Sequence, residues 1–371
     1  MKKYLVISLI LIGFLNACVK QVDELSDNRT IIFKSSVAEK SITKVNAGII
    51  EGTTFSYDDF GVYGYVTPVI DITNGGYLAK NAKYVKSGSI WVPYNGANYY
   101  WPKADNLSDI KVGFVAYAPY IANDGFSNDV ITIPIDASSI NDSCVDVMYA
   151  HVENVTPTSN PVSLHFNHAL SWIEFVGKYA KDVKEVTITS IKFSSEIYNS
   201  GNLLLNVKNF SQSIDTDTSE TTDPNLGDNV TLTAHDDGTG TVDYDNISSM
   251  LVLPQDVPAQ VTITFNITIE NATGEEIYYN GRTITRTINT GNDANKEYNA
   301  SAGRTYVSEW EGGKRYIYRI FVTANDINFS VDVNDWTDEN PFQIWDHNTT
   351  AYLEHFFGKA SNVMAKNLVI A

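Results

Sequence analysis

The sequence predicts an all-β protein built as two consecutive β-sandwich domains. Three observations carry that expectation. Apolar and polar residues alternate with period two in the best-defined segments, turn residues recur about every ten positions, and no segment has a convincing helical period. The cleanest alternation is Val261, Ile263, Phe265, Ile267 and Ile269, interleaved with Thr, Thr, Asn and Thr. A chain of 371 residues exceeds one average domain, and each half is long enough to bury its own core. The 22 tyrosines, with abundant Thr and Asn, suit strands that keep one face in water. A formal net charge of -18 leaves no basic stripe to neutralise phosphates. It argues against nucleic acid as a partner and against electrostatic attachment to an anionic membrane surface. With only two cysteines, no disulfide framework holds the fold.

Taken in order, the chain begins with Met1-Lys2-Lys3, a positive start, and one apolar run from Tyr4 to Leu15. A run of about a dozen residues is too short to span a bilayer, which needs roughly 20, so it reads as a secretory signal. Leu15-Asn16-Ala17-Cys18 resembles a bacterial lipobox, in which a cysteine after small residues is lipidated and becomes the mature N-terminus. Residues 1–17 are therefore expected to be a lipoprotein signal peptide, Cys18 the lipidation site, and 18–29 a polar tether. No Asp follows Cys18 directly, so export to the outer membrane or cell surface is allowed.

The first half, 30–160, reads as a sandwich of short strands. Thr30-Ile31-Ile32-Phe33 is apolar, and Phe60 to Val66 alternates cleanly. Asn95-Gly96, flanked by Trp91-Val92 and Tyr99-Tyr100-Trp101, predicts a hairpin that ends at Pro102. Val112, Phe114, Ala116 and Ala118 line one face of a strand, and Ile131 to Ile135 and Asp146 to Ala150 complete the set. The seam is Val162 to Gly177, two strands around a kink at Asn167-His168.

The second half, 161–336, continues with Val186 to Thr189 and Ile191 to Phe193, where the alternation slips by one residue and predicts a bulge. Tyr316 to Val322 and Ile327 to Val333 follow, closing at Trp336. The tail, 337–371, holds a candidate helical turn at Tyr352 to Gly358 and a final apolar stretch. Undocked tails are usually polar. Two readings stay open for it: an edge strand on its own domain, or a strand given to another subunit.

No residue pattern demands catalysis. His165 and His168 have the spacing H-x-x-H, but in a strand that spacing puts them on opposite faces unless a bend intervenes, and no third ligand lies nearby. Asp215 to Glu220 lacks the glycine of a calcium loop and reads as a solvated loop. Cys144 reads as a small buried hydrophobe. No nucleophile elbow, phosphate loop or dinucleotide fingerprint occurs. No enzyme activity, metal or cofactor is expected. A hydrolase acting on surface glycans would need paired acids in a cleft that the sequence does not display.

Six pieces in order resemble the fimbrillin (type V pilin) family, including its Mfa-like members. They are the lipobox, Asp59 to Tyr65, Tyr100-Trp101-Pro102, Phe114 to Pro119, Asp146 to Ala150, and Leu164 to Ser171. The resemblance implies two transthyretin-like β-sandwiches in a surface lipoprotein, held at the outer membrane by its lipid, whose partners are other fimbrial subunits. It also implies trimming by a trypsin-like protease after a basic residue in the first domain. The first strand is then lost, and a neighbour's C-terminal strand fills the groove. Lys44 is the candidate cleavage residue, although the family often has Arg there, and Arg29 is a second candidate. Met364, Leu368 and Ile370 share one face of the candidate donor strand, with Lys366 between them. The rival expectation is a non-polymerising surface lipoprotein, an adhesin or a tip or anchor subunit. It would bind host protein or glycan through aromatics such as Trp91, Tyr99 and Trp101, which as core residues would be unavailable.

Overall fold

The computed structural model describes residues 26–37, 55–67, 76–102, 110–137, 145–216, 221–236, 244–271, 273–289, 307–324 and 327–335. The protein is all-β, as expected, and its contacts divide it into two compact units. One comprises residues up to Ala137, Val145–Leu170 and Asn199–Glu220, and the other takes the rest. The boundary expected between residues 160 and 161 thus lies at Leu170–Ser171, because the strand that follows residue 161 is paired within the first unit.

The first unit opens with β1 (Ser26–Thr30), β2 (Phe33–Val37), β3 (Asp59–Thr67), β4 (Tyr77–Ser87), β5 (Ile90–Pro93) and β6 (Tyr100–Pro102). β7 (Lys111–Ala118), β8 (Val130–Asp136), β9 (Met148–Val155) and β10 (Val162–His168) follow. Seven of these close on themselves in the order β10-β2-β5-β4-β3-β7-β9. Where an open sandwich leaves edges, this sheet has none, because β2 joins β10 to β5.

Three local expectations change. The tether expected over 18–29 runs into β1, which is paired with β6. The single strand expected at Thr30 to Phe33 is split at Ile31-Ile32, where the chain passes from one ladder partner to another. The hairpin expected at Asn95-Gly96 forms only its turn. Asn95 (φ 55) and Gly96 (φ 69) adopt the left-handed backbone those residues favour. β6 then pairs with β1 and not with β5, and the hairpin in this region joins β4 to β5 instead.

After three strands of the second unit, β11 (Ser171–Ala180), β12 (Val183–Phe193) and β13 (Ile197–Tyr198), the chain returns to the first as β14 (Ser200–Asn206) and β15 (Ser211–Thr216). β14 pairs with β8 residue for residue, from Ser200 opposite Asp136 to Asn206 opposite Val130. Every residue from Phe60 to Val66 is buried, so β3 is covered on both faces. Its outward tyrosines are buried with their hydroxyls partnered: Tyr63 donates to Asp124 at 2.6 Å, and Tyr65 donates to Glu153 at 3.3 Å. The rings of Tyr65 on β3 and Tyr117 on β7 demand glycine across the ladder. A Cβ on Gly113 would meet the Tyr65 ring at 2.2 Å, and one on Gly61 would meet the Tyr117 ring at 2.5 Å.

The second unit continues with β16 (Thr221–Thr222), β17 (Val230–Thr231), β18 (His235–Asp236), β19 (Asp245–Val252) and β20 (Gln255–Asp256). β21 (Gln260–Glu270), β22 (Glu276–Thr287), β23 (Glu309–Trp310), β24 (Lys314–Val322) and β25 (Ile327–Asp335) complete it. One sheet has the order β18-β11-β24-β25, with β19 also on β11, and the other has β17-β12-β21-β22. Ile173 and Phe175 of the first sheet and Ile188, Ile263 and Phe265 of the second share one core, so this unit is a sandwich. The expected bulge is present, as a register shift between Ile188 and Ser190. On the other face of β11, Glu174 is paired with Arg315 at 2.7 Å, and the guanidinium lies 3.9 Å from the centre of the Trp172 ring. Burial holds the Glu174 carboxyl above its ordinary pKa, and Arg315 opposes that shift.

Two predictions follow from this packing. Arg315→Ala leaves a buried carboxylate uncompensated and should cost about 3–5 kcal/mol in urea unfolding, whereas replacing both partners, Glu174→Leu with Arg315→Met, should recover most of it. In the first unit His151 stacks on Phe210, with centroids 3.8 Å apart. Burial depresses its imidazole below the ordinary value, although Glu153 opposes the shift. The folded state therefore binds fewer protons at this ring than the unfolded chain. The resulting stability is complete above the ordinary imidazole pKa and is lost as pH falls through it. Between about pH 7.5 and about pH 5.5, the melting temperature should fall less in His151→Phe than in the parent.

Candidate functional site

The segment that closes the first unit's barrel is short and held mostly by backbone. Thr30 faces Tyr100 in the β1–β6 ladder, and the Ile31 N–H donates to the Tyr99 carbonyl at 2.7 Å. The Val162 N–H donates to the Ile32 carbonyl at 2.9 Å, and β2 then runs parallel to β10 from Phe33 opposite Val162 to Val37 opposite Phe166. On its other side β2 meets β5 at one pair, Phe33 and Trp91.

Side chains alternate along this segment as a half-buried strand requires. Ile31, Phe33 and Val37 are buried, and Lys34 is exposed. Phe33 has no exposed surface and meets Tyr84, Phe114 and Phe60 edge-on, with centroids at 4.8, 5.1 and 6.2 Å. Edge-to-face packing of this kind adds to the gain from area burial. Three polar contacts complete the seat. The Tyr84 hydroxyl donates to the Ile31 carbonyl at 3.2 Å, and the Trp91 indole N–H donates to Ser35 Oγ at 2.8 Å. Ser36 Oγ and His165 Nδ1 lie 2.7 Å apart on the outer side.

The segment after β2 is also fastened to β10 and to the residue run before β9. Phe55 stacks on Phe166 at 4.3 Å, and the Tyr57 hydroxyl donates to the Asp146 carbonyl. The Asp146 carboxylate is bound at 2.8 Å to His168 Nδ1, and both residues are buried. His165 is exposed and His168 buried, so the H-x-x-H pair is divided between two faces, as its spacing implied. Among the described residues no group of three or more His, Cys, Asp or Glu side chains is placed to hold a metal.

Of the sequence-derived candidates, Arg29 lies within β1 and is half-buried. Cys18, Lys44, Met364, Leu368 and Ile370 lie outside the described residues, as do Cys144, residues 217–220 and the tail with its candidate helical turn. Asp215 is in β15. Trp91 and Trp101 are core residues, 2% and 1% exposed, and Tyr99 is half-buried. Sequence reasoning missed Phe55 and the Asp146–His168 pair. A lone Phe outside an alternating run, and two polar residues far apart in the chain, carry no local signal. Among the described residues no helix is long and apolar enough to cross a membrane.

The profile of the fimbrillin-like family matches residues 43–336. The chain belongs to the fimbrillin-like family. Two solved structures share the fold. A fimbrial protein from Bacteroides vulgatus is 16% identical with a TM-score of 0.50, over 84% of this chain and 100% of that one. A protein assigned to cell adhesion from Bacteroides ovatus is 17% identical with a TM-score of 0.52, over 84% and 99%. Another so assigned, from Bacteroides uniformis, is 20% identical with a TM-score of 0.47, over 83% and 98%. No curated protein matches the sequence.

The fimbrillin-like seat predicts a steep contrast along β2. Phe33→Ala should destabilise the protein by about 3–5 kcal/mol, whereas Lys34→Ala, one position away and exposed, should change stability by less than about 0.5 kcal/mol, both read by chemical denaturation.

Proposed function

We propose that this fimbrillin-like chain is a structural subunit of a cell-surface fimbria. It is exported as a lipoprotein precursor through Cys18, held at the outer membrane by that lipid, and assembled by exchange of strands between copies. The observation that carries this reading is the seat of β2: five residues, parallel to β10, closing a barrel whose aromatic core is centred on Phe33. Removing β2 leaves backbone groups of β10 and β5 without partners and an apolar slot where Phe33 stood. An incoming strand supplies both needs at once.

A cut that frees β1 and β2 has to fall after Val37 and before Phe55, since Phe55 and Tyr57 are fastened to Phe166 and Asp146. Lys44 stands in that interval of the sequence. Arg29 is a poorer candidate, because its peptide bonds belong to a paired strand and a cut there leaves Phe33 in place. The neighbour's tail, with Met364, Leu368 and Ile370 on one strand face, is the proposed replacement.

The test is a denaturing gel of protein shed from its native cells, run unboiled beside a boiled sample, with N-terminal sequencing of the boiled band. A ladder that collapses to one band beginning at or near Val45 is expected. A single band in both lanes that still carries lipidated Cys18 would sink polymerisation. Deleting residues 362–371 should abolish the ladder and leave the melting temperature of the subunit unchanged within about 2 °C.

A further inference from the structure

The ladder partners of residues 26–37 are β5, β6 and β10, and all three lie after residue 54. The same is true of the rings around Phe33, which are Phe60, Tyr84 and Phe114. It is true again of the Tyr99 carbonyl, which accepts from the Ile31 N–H, and of the Val162 N–H, which donates to the Ile32 carbonyl. A cut between residues 38 and 54 therefore hydrolyses one peptide bond and leaves each of these contacts in place. At Lys44, water gives its hydroxyl to the Lys44 carbonyl carbon and a hydrogen to the Val45 nitrogen. The two pieces then stay together through packing and hydrogen bonds alone. Ile31 and Val37 are 1% exposed and Phe33 is 0% exposed, so departure of the segment brings three apolar side chains into water at once. Departure of that kind is slow.

Resting on the strand-exchange reading above, we infer that the cut segment stays in its seat as a non-covalent plug, and that its departure, not the cut, frees the groove. Cys18 lies on the plug's side of the cut. On that reading the plug is also the subunit's tie to its lipid. Cleavage primes the subunit, and displacement of residues 26–37 both opens the barrel and detaches the body from the membrane. The seat guards the plug as well. Arg29 lies within β1, and Lys34 lies within β2 opposite Ser163. Proteases act on backbone that has opened from its ladder, so the bonds after these two residues are protected in the seat and exposed once the segment leaves. A protease that cuts after basic residues then degrades the displaced plug, and exchange runs in one direction.

The test uses the chain from Cys18 to Ala371, fixed to a resin by an affinity tag at its N-terminus in place of the lipid and carrying a specific protease site at Lys44. A boiled gel shows when cutting is complete, and the body, residues 45–371, is followed as it leaves the resin. At least about 90% of the parent body should remain bound an hour after complete cutting. Phe33→Ala should elute at least about tenfold faster, and Val37→Ala gives the same comparison should Phe33→Ala fail to fold. An excess of a peptide with the sequence of residues 362–371 should elute the parent. In a trypsin pulse, mass spectrometry of the bound fragment 18–44 should show cuts after Arg29 and Lys34 at least about tenfold slower than in the free peptide of that sequence. Prompt elution of the fully cut parent would overturn the plug and leave strand exchange intact, and so would equal trypsin cleavage of bound and free fragments. Equal elution of the parent and the variants would refute a seat centred on Phe33. Retention with trypsin protection that the 362–371 peptide cannot relieve upholds the plug and overturns the tail as its replacement.

Discussion

Closure of the first unit's barrel depends on Phe33, a residue close to one end of the chain that packs among Phe60, Tyr84 and Phe114. A barrel has no spare edge, so each stave must be filled or the whole ladder opens. Here the filling stave is a five-residue strand with one long-range partner in parallel and a single pair on the other side. Its hold on the fold comes from the ring it buries more than from the number of its hydrogen bonds. That division makes the stave replaceable in principle: another chain can match backbone bonds of this kind, provided that its side chains suit the interior.

The contacts beside the stave also bind other segments together. Phe55 stacks on Phe166 of β10, the Tyr57 hydroxyl bonds to the Asp146 carbonyl, and the Asp146 carboxylate is bound to His168. On the outer side, the hydroxyls of Tyr63 and Tyr65 reach Asp124 and Glu153, and the rings of Tyr65 and Tyr117 lie over Gly113 and Gly61 of the neighbouring strands. The second unit solves its own problem differently. Its two sheets share an apolar core, and an ion pair with a stacked guanidinium sits on the far face of β11. The Asp146–His168 and Glu174–Arg315 pairs are buried, which makes each unit sensitive to loss of one partner.

The strands that were easiest to find in the sequence are those with one dry and one wet face. Val261 to Ile269 shows its alternation openly and is β21, and the slip between Thr189 and Ile191 announced a real bulge. The two histidines were also assigned correctly to opposite faces, since that follows from strand geometry alone. Where a strand is covered on both sides, the pattern misleads. Tyr63 and Tyr65 lie on the face opposite Val62 in an alternating run, yet both faces are buried. Turn chemistry was legible at Asn95-Gly96, but the ladder partner was not, because turn residues state only that the chain bends.

The amino-acid pattern alone was enough to establish an all-β chain, the family to which it belongs, and the faces of its amphipathic strands, because all three rest on short-range alternation and ordered motifs. Pairings remote in sequence required the folded coordinates. β2 lies beside β10, β1 beside β6, and residues 199–216 rejoin the first unit after three strands of the second. Such pairings are settled by which backbones and side chains can share one interior, and that competition among distant segments leaves no trace in any local stretch of residues. The acceptor opposite Trp91 belongs to the same class: Ser35 looks like any strand serine until the indole is placed 2.8 Å from it.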